Sequence, residues 1–463
     1  MAPTFGTSGL RGLVTDLTDD VIARYTLAFL HACPHGGRLF VGRDLRPSSP
    51  TIAGVVIEAA REAGVDVVDC GVLPTPALAQ ASLSAGAAAV MVTGSHIPAD
   101  RNGLKFYVPT GEITKDDEAA ISHAYSGGSA PQGEARGSLS QKDAIADYAD
   151  RMVSALGQGA LSGQRIGVYR HSSVARDVLE SVLSRLGAET VPLGHSDTFI
   201  PVDTEAVDPE TRDCLAGWAS DHGLHAIVST DGDGDRPMVA DNAGRIVPGD
   251  VLGVLTAQVL GARIVVTPVS SNDMITHLPL DAVHLTRIGS PFVIAEMERV
   301  LAANPDARVV GFEANGGFLL GFTATLSGPL SPLMTRDCLL PIVAPLARMA
   351  TEGKSLSDLI ATLPSRYTAA DRIQDIDTTR SAEFLRQLDT DPEVRSEFFD
   401  STGAVEDVDR TDGLRVILAG GDTVHLRPSG NAPEFRIYAQ ANSQDRANDL
   451  VATYRDRVAA MVR

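Results

Sequence analysis

Short apolar runs alternate with helical stripes through most of this chain, and the alternation repeats. Leu39 to Gly42 reads as a buried strand. Ser49-Pro50 supplies a cap and a first-turn proline, and Ile52, Val55, Val56, Ala59 and Ala63 then share one helical face. Gly64 stops that helix and Val65 to Val68 returns as a strand, a unit that implies parallel neighbours and a right-handed crossover. The plan recurs from Arg165–Tyr169, through a cap at Ser172-Ser173 and a stripe of Val174, Val178, Leu179, Val182 and Leu186, to Gly187 and a strand at Glu189 to Pro192. A less regular copy runs from Ile264-Val265-Val266 through Ser270-Ser271 to Val283-His284-Leu285. The copies lie roughly 100–130 residues apart, a usual domain length.

Between the first two copies, Ser126-Gly127-Gly128-Ser129-Ala130-Pro131 and on to Ser138 has the composition of a linker. After about Pro364 the texture changes to charged helices and a hairpin around Leu426 to Ile437. The pattern therefore predicts an α/β protein of four domains: three of a common mixed α/β sheet plan and a C-terminal α+β domain. The limits fall at 1–138, 139–245, 246–363 and 364–463.

Length agrees, since 463 residues exceed what one core can organise. Hydrophobic content of 44% is that of an ordinary globular protein. Against 59 acidic residues stand 39 Lys and Arg, a net charge of −20 that argues against nucleic acid or an anionic membrane as partner. An anionic small substrate would need the few cations concentrated locally. The N-terminal stretch has no apolar segment of signal-peptide type, and no run is long enough to span a membrane. Cys33, Cys70, Cys214 and Cys338 are widely spaced, which indicates neither zinc nor a disulfide framework and points to a reduced cytoplasm.

Chemistry concentrates in four loops. Ala87 to Val92 is an apolar strand that ends in Thr93-Gly94-Ser95-His96-Ile97-Pro98, so Ser95 is presented at a sheet's carboxyl edge, with Lys105 ten residues on. A lone serine in a glycine turn is ordinarily structural; its company changes the reading. After the strand Leu224 to Val228 comes Asp231-Gly232-Asp233-Gly234-Asp235-Arg236, whose alternate carboxylates can converge on a hard divalent cation. An EF-hand would need Gly and Glu where Arg236 and Asn242 stand. Three protein oxygens with room for a phosphate oxygen and water suit magnesium. Arg236 is either their counter-charge or a substrate contact.

After Val309-Val310 comes Gly311-Phe312-Glu313-Ala314-Asn315-Gly316-Gly317, with Glu313 and Asn315 suited to vicinal hydroxyls. The fourth loop, Arg427-Pro428-Ser429-Gly430-Asn431-Ala432-Pro433-Glu434-Phe435-Arg436, is a phosphate cradle or a plain hairpin turn. Near the start, Thr7-Ser8-Gly9-Leu10-Arg11-Gly12 carries one more guanidinium. A nucleophile, a metal loop, hydroxyl binders and a phosphate cradle together describe anionic sugar chemistry in a central cleft.

These motifs, in this order and over the whole length, resemble the α-D-phosphohexomutase superfamily, which includes phosphomannomutases, phosphoglucomutases and phosphoglucosamine mutases. The likeness is greatest to the bacterial phosphomannomutase/phosphoglucomutase branch. The resemblance implies that Ser95 is phosphorylated and that Asp231, Asp233 and Asp235 hold Mg2+ against its phosphate. It implies proton-transfer roles for Arg11 and Lys105, with His96 beside the phosphoserine and Arg236 approaching the sugar. Glu313 and Asn315 match the sugar-hydroxyl loop, and Arg427, Ser429, Gly430 and Asn431, with Arg436 at the end of the run, match the phosphate loop. A hexose 1,6-bisphosphate would be intermediate and activator, and the protein a monomer or small homo-oligomer.

Two departures stand out. In the active loop Gly94 stands before Ser95 and Ile97 before Pro98, where the commoner family form has Ala before Ser and Asn before Pro. In the sugar loop, Asn315 stands for Ser and Gly317 for His, so no histidine acid-base role carries over. Phe-Glu-Ala-Asn-Gly also resembles acetylglucosamine phosphate mutases. Mannose phosphate is the first expectation and glucose phosphate a second. The alternatives are a glucosamine or acetylglucosamine phosphate mutase, a non-catalytic sugar-phosphate sensor on the same scaffold, or a phosphosugar hydrolase.

Overall fold

The computed structural model describes residues 3–6, 9–128, 135–428 and 434–462. The chain forms two compact units, one of Met1–Arg263 with Gly289–Ile360, the other of Ile264–Ile288 with Ala361–Arg463.

In the first unit the largest sheet has at its centre the parallel strands Ala88–Val92, Arg38–Arg43 and Asp66–Val72. Every residue of Ala88–Val92 is buried, which is why its sequence is a continuous apolar run without alternation. Its other neighbour, Arg101–Val108, is antiparallel, and Leu10–Leu13 pairs antiparallel to that in turn. Leu139–Gln141, just past the expected first limit at 138, adds in parallel to Asp66–Val72. Helices Ser49–Glu62 and Lys115–Gly127 both pack on Asp19–Ala32, with Phe29, Val56 and Ile121 in a shared core.

The second sheet repeats this logic. Glu189–Leu193, Arg165–Tyr169 and Ala226–Thr230 run parallel, then Pro237–Ala240 and Ile246–Val247 return antiparallel. Val309–Phe312 likewise meets Phe318–Leu320 antiparallel, and Phe318–Leu320 meets Leu333–Asp337. The serine, aspartate and glutamate loops thus occupy one topological position: each joins a buried strand to an antiparallel return.

In the second unit, Ile264–Pro268 pairs in parallel with Ala282–Thr286. An antiparallel sheet runs in the order Tyr367–Gln374, Glu434–Ala441, Thr423–Pro428, Leu414–Leu418, Val405–Asp409. Its core joins Phe399, Val416, Leu426, Phe435 and Tyr454, with helices Thr378–Thr390, Pro392–Phe399 and Gln444–Val462 alongside. The expected hairpin is present, with Leu426 opposite Ile437.

Several local expectations are corrected. Ser48, not Ser49, occupies the cap of the first crossover helix and makes no side-chain cap bond. The Ser49 hydroxyl instead donates to Asp44 at 2.5 Å. The second crossover helix begins at Arg176, and Ser173 serves the turn before it by accepting from the Ala175 amide. The third copy has no crossover helix of length, only a 3-10 turn at Asp273–His277. Gly311 and Phe312 belong to the strand, so the sugar loop starts at Glu313. Ser126 and Gly127 end a helix whose cap is Gly128 in the left-handed region, which shortens the linker; its residues 129–134 lie outside the described residues.

Two buried histidines predict acid lability. His171 donates to the Thr230 carbonyl at 2.8 Å and His425 to that of Asp412 at 2.5 Å. Burial pushes both down to about 4 from the ordinary 6.5. A depressed folded-state pKa means stability present above pH 6.5 and lost as pH falls towards 4, because the unfolded chain takes up protons that the fold refuses. Each histidine contributes about 3 kcal/mol by this linkage. Melting temperature is expected to fall steeply between pH 6.5 and 4, and less steeply in His425→Gln.

Candidate active site in the first unit

Ser95 sits at φ +52°, a left-handed conformation that a non-glycine residue adopts only when its surroundings enforce it. The enforcement is visible. The Ser95 amide donates to Thr93 Oγ1 at 2.7 Å, and Thr93 Oγ1 donates to Asp44 Oδ2 at 2.8 Å. Arg46, wholly buried, spreads its guanidinium over the loop's carbonyls: Nη2 to Ser95 and Ile97 at 2.9 and 2.6 Å, Nη1 to Pro98 and Arg101 at 2.7 and 3.0 Å. Its Nε donates to Asp44 at 3.2 Å and its far face lies 4.2 Å from the Phe199 ring centre. A Cβ on Gly94 would fall 2.6 Å from that guanidinium, so glycine here admits the clamp.

So held, the Ser95 hydroxyl donates to Asp231 Oδ2 at 2.7 Å. Asp231, Asp233 and Asp235 are buried, with ligand oxygens within 4.8 Å of one another. Asp233 lies at the start of helix Thr75–Ser84, where its side chain accepts from Thr75 Oγ1 at 2.8 Å and its carbonyl from the Thr75 amide at 2.9 Å. Burial and the charges of Asp233 and Asp235 push Asp231 well above the usual carboxylate range. Burial acts the same way on Asp233, but Lys105 overrides it and holds that carboxyl below its ordinary range.

Lys105 Nζ donates to Oδ2 of Asp233 at 2.6 Å and of Asp235 at 2.5 Å. Oδ1 of each is buried without a hydrogen bond. Hard carboxylate oxygens, mutual repulsion and two orphaned acceptors fit a divalent cation of oxygen preference.

Guanidinium groups surround this cluster. Arg11 Nη1 donates to the Gly94 carbonyl at 3.2 Å, and burial, then Arg236, push its pKa down to about 10. Arg236 Nη1 lies 3.0 Å from His96 Nδ1. Burial and Arg236 push His96 down to about 2, so its ring is neutral and Nδ1 accepts from Arg236. Ser95 Oγ stands 3.3 Å from the same nitrogen. Arg336, from the strand Leu333–Asp337, pairs with Asp235 at 2.8 Å and approaches Glu313 at 3.6 Å. Arg11, Lys105, Arg236 and Arg336 thus lie among Asp231, Asp233, Asp235 and Glu313.

The first unit brings together Arg11, Ser95, His96, Lys105, Asp231, Asp233, Asp235, Arg236 and Glu313. Glu313 Oε2 is buried with no hydrogen-bond partner, an acceptor poised for a ligand hydroxyl. Asn315 Oδ1 accepts from the Gly317 amide at 2.9 Å, which fixes the side chain expected to meet sugar hydroxyls against the turn. In the second unit Arg427 and Arg436 face each other across the hairpin, and Arg427 pairs with Asp412 at 3.0 Å. Ser429, Gly430 and Asn431, like Thr7 and Ser8, lie outside the described residues.

Asp44, Arg46, Thr75 and Arg336 escaped the motif reading. Asp44-x-Arg46 at the end of a buried strand was the one available signal, since two charges seldom follow such a strand without pairing.

Family models for phosphoglucomutase/phosphomannomutase α/β/α domains I, II and III match residues 2–131, 146–244 and 248–367, and that for the C-terminal domain matches 370–457. A phosphomannomutase of Sinorhizobium fredii is 44% identical, over 98% of this chain and 98% of its own. One of Salmonella muenchen is 44% identical, over 97% and 94%. Among solved structures, a phosphoglucomutase/phosphomannomutase family protein of Burkholderia thailandensis has a TM-score of 0.78 at 21% identity, covering 98% of this chain and 97% of that one. Among the described residues, no helix is long and apolar enough to cross a membrane.

Proposed function

This chain belongs to the phosphoglucomutase/phosphomannomutase family and is a phosphohexomutase, and from that premise we propose that it interconverts mannose 6-phosphate and mannose 1-phosphate through a phosphate carried on Ser95. The observation that carries the reading is Ser95 itself, held left-handed with its hydroxyl on Asp231 at the edge of a buried carboxylate cluster. Mannose is favoured because both relatives at 44% identity are phosphomannomutases; glucose phosphate is a second substrate, since Glu313 Oε2 can accept from hydroxyls common to both epimers.

In the forward step the sugar's free hydroxyl attacks the phosphorus on Ser95. The Ser95 P–O bond breaks, and the proton from the sugar hydroxyl ends on Ser95 Oγ, which then donates to Asp231 as it does here. The product is a hexose 1,6-bisphosphate that turns over and returns its other phosphate to Ser95. Asp231, Asp233, Asp235 and the Ser95 phosphate would hold magnesium, which when bound supplies charge neutralisation and polarises the transferring group. Lys105 bridges Asp233 and Asp235 and favours the charged form of Asp233, and Arg11 and Arg236 face the charge that moves. We place the enzyme in the cytoplasm, as a monomer or small homo-oligomer.

The test is a coupled assay with mannose, glucose and glucosamine phosphates, joined to mass mapping of the isolated protein. Phosphate on Ser95 and turnover of mannose 6-phosphate are expected. Exclusive turnover of the amino sugar would transfer the reading to a phosphoglucosamine mutase. Release of inorganic phosphate as the main product would make the protein a hydrolase.

The bisphosphate needs a second grip for its distal phosphate, and we assign it to Arg427 with Ser429, Gly430, Asn431 and Arg436. A charge-assisted hydrogen bond contributes roughly 1.5–3 kcal/mol, so Arg427→Ala should raise KM by about 10- to 150-fold. It should also deepen dependence on added hexose 1,6-bisphosphate, because a loosely held intermediate escapes before it turns. Steady-state kinetics with and without the bisphosphate measure both. Unchanged values would reduce this loop to a hairpin turn.

A further inference from the structure

Arg336 is a buried cation that the motifs leave without a role. Its side chain is only 4% exposed. Nη2 stands 2.8 Å from Asp235 Oδ2 in the aspartate loop, and Nη1 stands 3.6 Å from Glu313 Oε2 in the sugar loop. The strand that carries it is itself anchored: Asp337 accepts from Tyr148 at 2.6 Å and from Arg151 at 2.8 Å, and Thr335 donates to Glu112 at 2.8 Å.

The stem of Arg336 also explains a residue. A Cβ on Gly317 would lie 2.7 Å from both Cγ and Cδ of Arg336 and 3.1 Å from its Cβ. Gly317 has no left-handed φ to explain its identity, so space alone requires it. The position where the resemblance leads one to expect histidine is filled, from another strand, by an arginine.

We propose that Arg336 is a positioning residue for substrate selection. Its fork ties Asp235 to Glu313 and sets the Glu313 carboxylate so that Oε2 meets a sugar hydroxyl, and Gly317 is glycine so that Arg336 can reach it. A planar guanidinium is suited to this because it directs two N–H groups at two carboxylates in fixed relative geometry, which an ammonium cannot do. At 3.6 Å the contact with Glu313 is an ion pair and not a hydrogen bond, which steers the carboxylate while leaving Oε2 to accept from substrate. The inference rests on the hexose phosphate reading above.

The test uses full-length Ser95→Ala protein, which transfers no phosphate, and measures binding of mannose 6-phosphate by titration calorimetry. Gly317→Ala and Arg336→Ala are each expected to weaken binding about 10- to 100-fold, the worth of one charge-assisted hydrogen bond. The double variant should bind no worse than Arg336→Ala alone, because removing the stem makes room for the methyl group that Gly317→Ala adds. In a Glu313→Gln background, Arg336→Ala should cost little more, since its effect passes through Glu313. A merely structural arginine would instead give losses that multiply.

Arg336→Lys, which keeps stem and charge, is expected to bind as weakly as Arg336→Ala and stands in for it if the alanine variant does not fold. Parental affinity in Gly317→Ala or Arg336→Lys, or losses that multiply, overturn the inference while leaving the function intact. A parent protein that binds neither mannose 6-phosphate nor hexose 1,6-bisphosphate overturns both.

Discussion

Asp231→Asn is expected to lower kcat about 10²- to 10³-fold, the scale on which removal of a single preorganised group facing transferred charge acts, and at the same time to raise the melting temperature in chelator. The two effects have one origin. Asp231 accepts the Ser95 hydroxyl at 2.7 Å and belongs to a set of carboxylates whose oxygens converge within 4.8 Å. Burial, with Asp233 and Asp235 adding to it, makes the charged form of Asp231 unfavourable in the free protein. Asparagine keeps the shape and removes the repulsion, so the fold gains what the site loses. Thermal melting with excess chelator and kcat with saturating magnesium measure the two halves. A lower melting temperature would show that Lys105, Arg11 and Arg236 already neutralise the cluster. A kcat within tenfold of the parent would remove Asp231 from the chemistry.

What the sequence made legible were groups that are contiguous in the chain. Asp231, Asp233 and Asp235 alternate within five residues, and Ser95 follows a strand so apolar that its end is unmistakable. Each such loop lies where a buried strand gives way to an antiparallel return, and that boundary is written locally as an apolar run broken by glycine. Groups that meet only through tertiary structure were illegible. Thr75 meets Asp233 across 158 positions, and Arg46 meets the serine loop across about fifty; nothing in their neighbourhood announces the partner. Arg336 was hidden for the same reason, although Gly317 recorded its presence as a missing side chain.

Local rules also misled where a polar side chain had a better offer. Ser49 reads as a helix cap but donates to Asp44, because a buried carboxylate competes more strongly than a helix end. The irregular third copy was a real signal. Its intervening segment makes only the turn Asp273–His277, whose Asp273 is held by both branches of Arg366 at 2.7 Å.

Arg46→Ala is expected to be among the most damaging substitutions outside the reacting groups. The arginine is fully buried, and its loss would leave the Asp44 carboxylate without its ion pair and the carbonyls of Ser95, Ile97, Pro98 and Arg101 without these donors. Breaking a buried pair by removing one partner costs about 3–5 kcal/mol. Function should fall as well, because Arg46 donates to the carbonyls of the loop in which Ser95 keeps φ +52°; residues freed from such strain relax by about 1–3 kcal/mol. Relaxation would carry the hydroxyl away from Asp231, so kcat should drop about 10- to 100-fold with KM changing less, since Glu313 and Arg427 are untouched.

Asp44→Asn in the Arg46→Ala background separates the two contributions. It removes the unpaired charge and should restore part of the lost stability, read from the urea midpoint. It restores no clamp, so kcat should stay low. Recovery of kcat along with stability would mean that Arg46 serves the fold alone and that the geometry of Ser95 is secured by Thr93 and Asp231 without it.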